Sequence, residues 1–600
     1  MLQVNQTAQV TITGYTSQGE GVCRVDGCAV FVPNALRGET CQITVTHVGR
    51  TQAHGRIDRL AEPSPHRVDR LCPWAKQCGG CQLWHMDYTE ELTFKAQKVL
   101  DALTRIGGQT LQDLAITGGG GETVQLSDLL SGRATPAKHP VWAYRNKAQF
   151  PVQARSGRVT AGFFRQGTHQ VVPVERCLIQ DETADLARRV VLDWARRSGV
   201  TAYDETAHRG LLRHIFVRKG FVTGQVMVCL VCNGDGLPRR KALIDALRKG
   251  VPGLASVILC RNTVRTNVVL GDRFETLWGA DEIEDELCGL RFRLSPRSFY
   301  QVNHDQAQRL YEVALKLADL TKDDTVLDLY CGTGTITLAL ARDAGRAVGV
   351  ELVEQAIQDA KDNARRNGVT NAAFFCADAG EAARRFATHL SERFSPAQAA
   401  DTLPADDAPI TEAACEADAP ASVLSRSGGP DVIVVDPPRK GLSRDVVEAI
   451  LTMAPKRVVY ISCDPATLAR DLKLLTQGPY TLSHAQAFDL FPRPYHVETV
   501  VQLSKGERSS TPLRVELDGS DVDFASLRED ATYPQIKNYV LEHFGLKVTS
   551  LQIAQTKRSL GLPVGLNYNP SKKETHHIPQ CPPEKAAAIR TALEHFQMLR

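Results

Sequence analysis

The chain of 600 residues reads as a multidomain α/β protein. Four parts are expected: a small β-barrel (1–58), an α+β domain (59–290), a doubly wound sheet domain (291–505) and a small, mostly helical extension (506–600). Three observations predict this. The length exceeds what one hydrophobic core organises. The first 58 residues alternate apolar and polar positions between glycine-bearing turns. From about residue 305, helical patterns alternate with apolar strands, the signature of a parallel sheet.

The N-terminal strands are Val10–Thr13, Val22–Val25, Ala29–Val32 and Gln42–Val45, with turns spaced as in a barrel. A cysteine cluster follows at 72–81, then a helix from about Thr89 to Arg105. Residues 107–140, with Gly118–Gly121, are expected to be an inserted loop. The sheet domain is interrupted at 391–429 by an acidic Ala/Pro/Asp-rich tract, expected to be a disordered insertion. The last part predicts helices near Pro534–His543, Val548–Leu560 and Pro583–Met598, the last with proline in its first turn.

Lys and Arg number 71 against 68 Asp and Glu, a balance that by itself selects no partner. Pro396–Leu424 holds six acids and no Lys or Arg, so removing it from a net +3 leaves +9, a weak preference for a polyanion. The N-terminus shows no basic, apolar signal pattern, and no run of ~18 apolar residues is present, so a membrane location is not expected. The sixteen cysteines are therefore expected in a reducing cytoplasm, in metal binding or catalysis rather than disulfides.

Thr325–Leu329 is a strand, Tyr330-Cys331-Gly332-Thr333-Gly334-Thr335 a tight turn, and Ile336–Ala341 a helix. Glycine there lets backbone approach a ligand at a helix N-terminus. Glu351 ends the next strand, where it could hold ribose hydroxyls. Asp378 ends a third strand, and Asp436 a fourth, in Asp436-Pro437-Pro438-Arg439. A dinucleotide site is the rival reading. The turn lacks the third glycine of G-x-G-x-x-G because position 337 is Thr, which favours S-adenosylmethionine over a nicotinamide or flavin. Arg439 stands where amino-methylating enzymes carry an aromatic residue.

Cys463 follows the apolar run Arg457–Ile461 in Ser462-Cys463-Asp464-Pro465-Ala466-Thr467, and Glu498 comes 35 residues later. A strand-end thiol with a returning carboxylate offers a nucleophile and a base. The bland alternatives are a small buried thiol and a solvated acid. Cys72, Cys78 and Cys81 are spaced C-x5-C-x2-C, which is neither a zinc-finger pair nor the C-x3-C-x2-C of radical S-adenosylmethionine enzymes. Cys229 and Cys232 sit inside an apolar strand and are expected to be core thiols.

With Ser295–Asn303, Asp328–Gly334, Asp436–Gly441 and Ser462–Thr467 assembled, the chain resembles the RNA (uracil-5-)-methyltransferases, in their TRAM-containing ribosomal RNA branch, over about residues 1–505. The resemblance implies an OB-like TRAM barrel at the N-terminus and a Rossmann-like methyltransferase domain. It implies methylation of carbon 5 of a uridine in 23S ribosomal RNA, with tRNA as the alternative substrate. It implies Cys463 as nucleophile, Glu498 as proton acceptor, and S-adenosylmethionine contacts at Gln301, Tyr330, Thr335, Glu351, Asp378 and Asp436. The family position matching Thr335 is elsewhere asparagine. It also implies Cys177 as the fourth ligand, completing Cys72, Cys78 and Cys81 for a [4Fe–4S] cluster, with zinc as the alternative. That set is expected to lie far from the chemistry, in a structural or RNA-binding role, because methyl transfer needs no electron. The protein is expected to be a monomer. Trp142–Lys147 and Gly162–Gly167 interleave aromatic and basic residues, as RNA-stacking platforms do. The rival classes are an amino-methylating enzyme, which needs no Cys–Glu pair, and a non-catalytic RNA-binding scaffold.

Overall fold

The computed structural model describes residues 2–134, 136, 142–393, 429–506, 533–560 and 581–595. The chain divides into two units, Met1–Ser509 and Ser510–Arg600.

Thr7–Thr11, Gly14–Tyr15, Gly21–Val25, Cys28–Val32, Thr40–Val48 and Gln52–Glu62 form one six-stranded sheet wrapped on Val10, Ile12, Val30, Ile43 and Val45. Period-two alternation produces this: the inward residues are buried and their neighbours exposed.

The central sheet runs in the order Arg158–Ala161, Lys147–Arg155, Leu212–Lys219, Val226–Cys232, Leu254–Arg261, Arg273–Gly279. Helices Glu182–Arg197 and Arg240–Gly250 cover one face. Every residue of Val226–Cys232 is buried. Cys229 packs into the core on one face and Cys232 into the core on the other. Residues three apart on a strand point oppositely, so this C-x2-C cannot be a ligand pair.

The third large sheet has nine strands in the order Ala372–Cys376, Arg346–Glu351, Thr325–Asp328, Val432–Val435, Arg457–Ser462, Glu498–Lys505, Tyr480–Phe488, Ala115–Thr117, Thr123–Gln125. The first five are mutually parallel, and Glu498–Lys505 enters antiparallel. Leu327, Val348, Ile433 and Val458 face one core, and Val326, Ala347, Val432 and Val459 face the other. Burial on both faces explains the uninterrupted apolar runs of these strands.

Residues 107–140 are not simply a loop. Ala115–Thr117 pairs parallel with Tyr480–Phe488, Thr123–Gln125 returns antiparallel, and helix Leu126–Leu130 follows. Leu114, Ile116, Leu126 and Leu129 are buried, and the glycines make the hairpin between them. The helix expected over Thr89–Arg105 spans Tyr88–Asp101 and widens into a π-turn at Ala102–Ile106. The acidic tract lies outside the described residues from 394 to 428; its first three positions belong to helix Ala379–Arg393.

In the second unit, helices Tyr533–Phe544, Ser550–Ser559 and Pro583–His595 match the three expected and pack on Ile536, Val540, Ile553 and Ile589. A capping box at Thr549 and Gln552 starts the middle one.

Candidate active site and its family

The carboxyl ends of the parallel strands open into a cavity of about 1040 Å³. Gln301, Tyr330, Thr335 and Glu351 line it, together with Asp378, Asp436, Cys463 and Glu498. All eight catalytic and cofactor positions expected from sequence therefore meet in one place.

Local chemistry sets each of them. Gly332 and Gly334 take left-handed φ values of 53° and 82°. A Cβ at Gly334 would lie 3.1 Å from the Ala360 Cβ and 3.2 Å from the Phe374 ring at a left-handed φ, so any side chain there strains the turn. Glu351 accepts from the Gly332 amide (3.3 Å) and the Val353 amide (3.0 Å), which fixes the carboxylate at the strand end. Asp378 caps the next helix through the Gly380 and Glu381 amides. The Tyr311 hydroxyl interacts with the Thr335 and Gln301 side chains.

Cys463 occupies the turn between strand Arg457–Ser462 and helix Pro465–Leu475. Ser462 Oγ accepts from the Asp464 amide (3.1 Å), and Asp464 caps the helix at the Ala466 and Thr467 amides. Pro465 sits in the first helical turn, where a missing N–H costs nothing. Glu498 begins the neighbouring strand. The Ser462–Thr499 register puts the Cys463 and Glu498 positions opposite one another.

The electrostatics are those of a buried acidic site. Burial, then the nearby Asp436, pushes the Glu498 carboxyl up to about 8, against the pull of Arg439. Burial, then Asp328, pushes Asp436 up to about 7. Burial, then Glu498 and Asp436, pushes the Cys463 thiol up to about 11, with Arg439 again opposing. Burial and Arg439 drive His496 down to about 4, so the imidazole near Arg439 Nη2 (3.4 Å) is neutral.

Three family models match: the TRAM domain over residues 2–57, a methyltransferase domain over 320–424, and tRNA (Uracil-5-)-methyltransferase over 428–506. An RNA methyltransferase of Halalkalibacterium halodurans, described as uncharacterized, is 41% identical over 499 residues, covering 83% of this chain and 97% of that protein. The chain belongs to the TRAM-containing RNA (uracil-5-)-methyltransferases. Similar RNA methyltransferases from Clostridium tetani and Bacillus cereus are 38% and 39% identical, over 83% and 84% of this chain and 96% and 98% of theirs. The crystal structure of Pyrococcus abyssi tRNA (uracil-54, C5)-methyltransferase, in complex with S-adenosyl-L-homocysteine, shares the fold, with TM-score 0.59 and 24% identity over 82% of this chain and 99% of that one. The protein is thus an RNA methyltransferase of the uracil-5 family, with S-adenosylmethionine as the implied methyl donor.

The methyltransferase has a second cavity of about 270 Å³, lined by all four expected thiols: Cys72, Cys78, Cys81 and Cys177. The Cys81 thiol is pushed well up by burial and then by Cys177, Cys78 and Cys72. A Cβ at Gly79 would come within 2.9 Å of the Gln166 amide, so the chain can wrap here only with glycine. Among the described residues no group of three or more Cys, His, Asp or Glu side chains is placed to hold a metal ion, although the four thiols line this one cavity.

One expectation is corrected. The thiol site is not far from the chemistry: Gly80, Arg145 and Lys147 line both cavities. The backbone hydrogen bond from Gly79 to Phe164 (2.9 Å) folds the segment back between the two sites, a return that spacing alone does not reveal. The RNA platform at 142–147 also splits. Tyr144 is core, its hydroxyl donating to the Pro492 carbonyl (3.1 Å), while Trp142 stays partly exposed against Trp84. Burial of Lys147, then the nearby Arg218 and Arg145, lowers its ammonium to about 8. Sequence reasoning missed His496 as a site residue, although the His-x-Glu spacing before Glu498 was an available signal; Lys147, read there only as part of an RNA-stacking platform, lines the cavity itself.

All described cysteines are free thiols. No helix among the described residues is long and apolar enough to cross a membrane.

Proposed function

We propose that the protein methylates carbon 5 of a uridine in 23S ribosomal RNA through a covalent Cys463 adduct. The observation carrying this is the convergence of Cys463, Glu498 and the expected cofactor contacts on one cavity.

Carbon 5 of uracil is a weak nucleophile. The Cys463 thiol releases its proton to solvent, the thiolate adds to carbon 6, and the electron pair of the C5=C6 bond moves toward O4 as an enolate. S-adenosylmethionine, when bound, supplies an electrophilic methyl carried on a cationic sulfonium. Carbon 5 takes the methyl as the S–CH3 bond breaks, its electron pair staying on sulfur in a neutral thioether, S-adenosylhomocysteine. Glu498 then accepts the carbon 5 proton, the C5=C6 bond re-forms, and the thiolate leaves. The thiol rests protonated, so Arg439, which pulls on both Cys463 and Glu498, favours the ionised forms the reaction requires. The N-terminus of helix Pro465–Leu475 acts in the same direction.

Gln301, Tyr330, Thr335, Glu351, Asp378 and Asp436 hold the methyl donor in this reading, with Glu351 at the ribose end. The buried acids suit the sulfonium. Cys72, Cys78, Cys81 and Cys177 would hold a [4Fe–4S] cluster: four thiols around one cavity match its ligand set. No step of the methylation runs through it.

The ribosomal substrate rests on the N-terminal TRAM domain joined to the four-thiol set. The second reading is the same chemistry on tRNA. It is favoured by the name of the family model over 428–506 and by the substrate named for the Pyrococcus enzyme. Incubation with labelled S-adenosylmethionine and separate ribosomal and transfer RNA fractions decides. Label is expected as 5-methyluridine in the large-subunit RNA; label in tRNA alone selects the second reading.

A further inference from the structure

Glu498 ends an arm, residues 489–497, whose anchoring is unusual. Asp489, Lys95 and Glu91 are wholly buried, and Arg493 is 5% exposed. Lys95 Nζ donates to Asp489 (2.6 Å), Glu91 (2.8 Å) and the Phe491 carbonyl (3.0 Å). The Tyr88 hydroxyl donates to Asp489 (2.7 Å), and Lys98 Nζ to the Tyr495 carbonyl (3.2 Å). Two buried cations thus balance two buried carboxylates, the condition under which such a network is tolerated.

Arg493 is the centre of it. Its φ is 81°, a region that side chains other than glycine seldom take, so surrounding contacts must impose it. Its amide donates to Glu91 (2.6 Å), and its guanidinium pairs with the same carboxylate (3.1 Å). The guanidinium also donates to the Met86 carbonyl (3.1 Å) and lies 5.0 Å over the Trp84 ring. Its carbonyl accepts from the Gln82 and Leu83 amides, directly after Cys81. Trp84 and Tyr144, which both touch the arm, pack in one cluster with Cys72, Cys81 and Cys177. The burial of Arg493 rules out a direct phosphate contact.

We propose that Arg493 is a positioning residue that fastens the Glu498 arm to the thiol segment, so that the integrity of the thiol site is transmitted to the base. The proposal rests on the reading of Glu498 as the proton acceptor. Lysine at 493 keeps a charge for Glu91 but not the fork that also reaches the Met86 carbonyl.

The test uses the full chain and two readouts. In Arg493→Lys, hydrogen exchange followed by mass spectrometry is expected to rise in 82–83 and 489–497 and to stay unchanged in strand Arg457–Ser462. Turnover is expected to fall at least about tenfold while KM for RNA and S-adenosylmethionine stays within about twofold. Cys81→Ser is expected to raise exchange in the same arm. Arg493→Gly, which accepts the φ without strain, is expected to show the same exchange pattern and replaces the lysine variant if that one does not fold. Wild-type exchange in the arm together with wild-type turnover overturns the proposal. Glu498→Gln is run beside them: normal turnover there removes the base assignment, while the exchange data still decide whether Arg493 fastens the arm.

Discussion

Cys463, the residue just past strand Arg457–Ser462, and Glu498, 35 residues later at the start of the antiparallel neighbour, lie at opposed positions because Ser462 registers with Thr499. A one-residue slip would turn Glu498 to the other face of the sheet. Burial pushes both groups up, to about 11 and about 8; Glu498 and then Asp436 add to the shift of Cys463, and Asp436 alone adds to that of Glu498. The chemistry therefore takes place where charge is disfavoured until a cationic partner arrives.

The first prediction concerns Glu498. A buried carboxyl raised to about 8 binds its proton more tightly in the folded than in the unfolded state. Its burial therefore costs nothing below the unfolded value of 4.5, costs more as pH climbs through the window between 4.5 and about 8, and costs its full amount above that. The full cost is at most roughly 5 kcal/mol. Glu498→Gln is expected to melt higher than wild type at pH 8.5 and near it at pH 5, while losing turnover. Equal melting shifts at both pH values contradict the buried-charge argument.

Asp436, raised to about 7, gives the second. Deprotonation above that pH puts a carboxylate beside the cofactor contacts, so a sulfonium gains and a neutral thioether does not. Calorimetry is expected to show the preference for S-adenosylmethionine over S-adenosylhomocysteine growing from pH 6 to pH 8. Asp436→Asn should flatten that trend.

Gly334→Ala is the third. The new Cβ meets Ala360 and Phe374 at 3.1–3.2 Å in a left-handed turn. A loss of about 1–3 kcal/mol in stability is expected, with S-adenosylmethionine affinity reduced at least about tenfold. Wild-type affinity would show that the turn does not approach the ligand.

The fourth concerns the thiols. Anaerobically purified protein is expected to be brown with about four irons per chain, and Cys81→Ser to lose them. A colourless, iron-free protein with full activity removes the cluster from the account.

The sheet, and the cavity that the proposed site residues line, were legible because each element there carries its signature locally. The Tyr330–Thr335 turn, the Asp436-Pro437-Pro438 turn and the Cys463–Pro465 cap are set by residues within a few positions of one another. What escaped was long-range. The hairpin at Ala115–Thr117 joins the catalytic sheet through pairing with residues near 486, and its glycines read as a loop. Tyr144 reads as an exposed platform until Pro492, far along the chain, covers it. The return of the cysteine segment to the active-site wall depends on Arg493 and Phe164, which no spacing rule connects to Cys81.

RNA carrying 5-fluorouridine at the target site tests the central claim most directly, because fluorine at carbon 5 cannot leave as a proton. With S-adenosylmethionine present, wild-type protein is expected to form a denaturation-stable adduct whose peptide mass maps to Cys463, and Cys463→Ala to form none. An adduct of undiminished yield in Cys463→Ala would contradict the account.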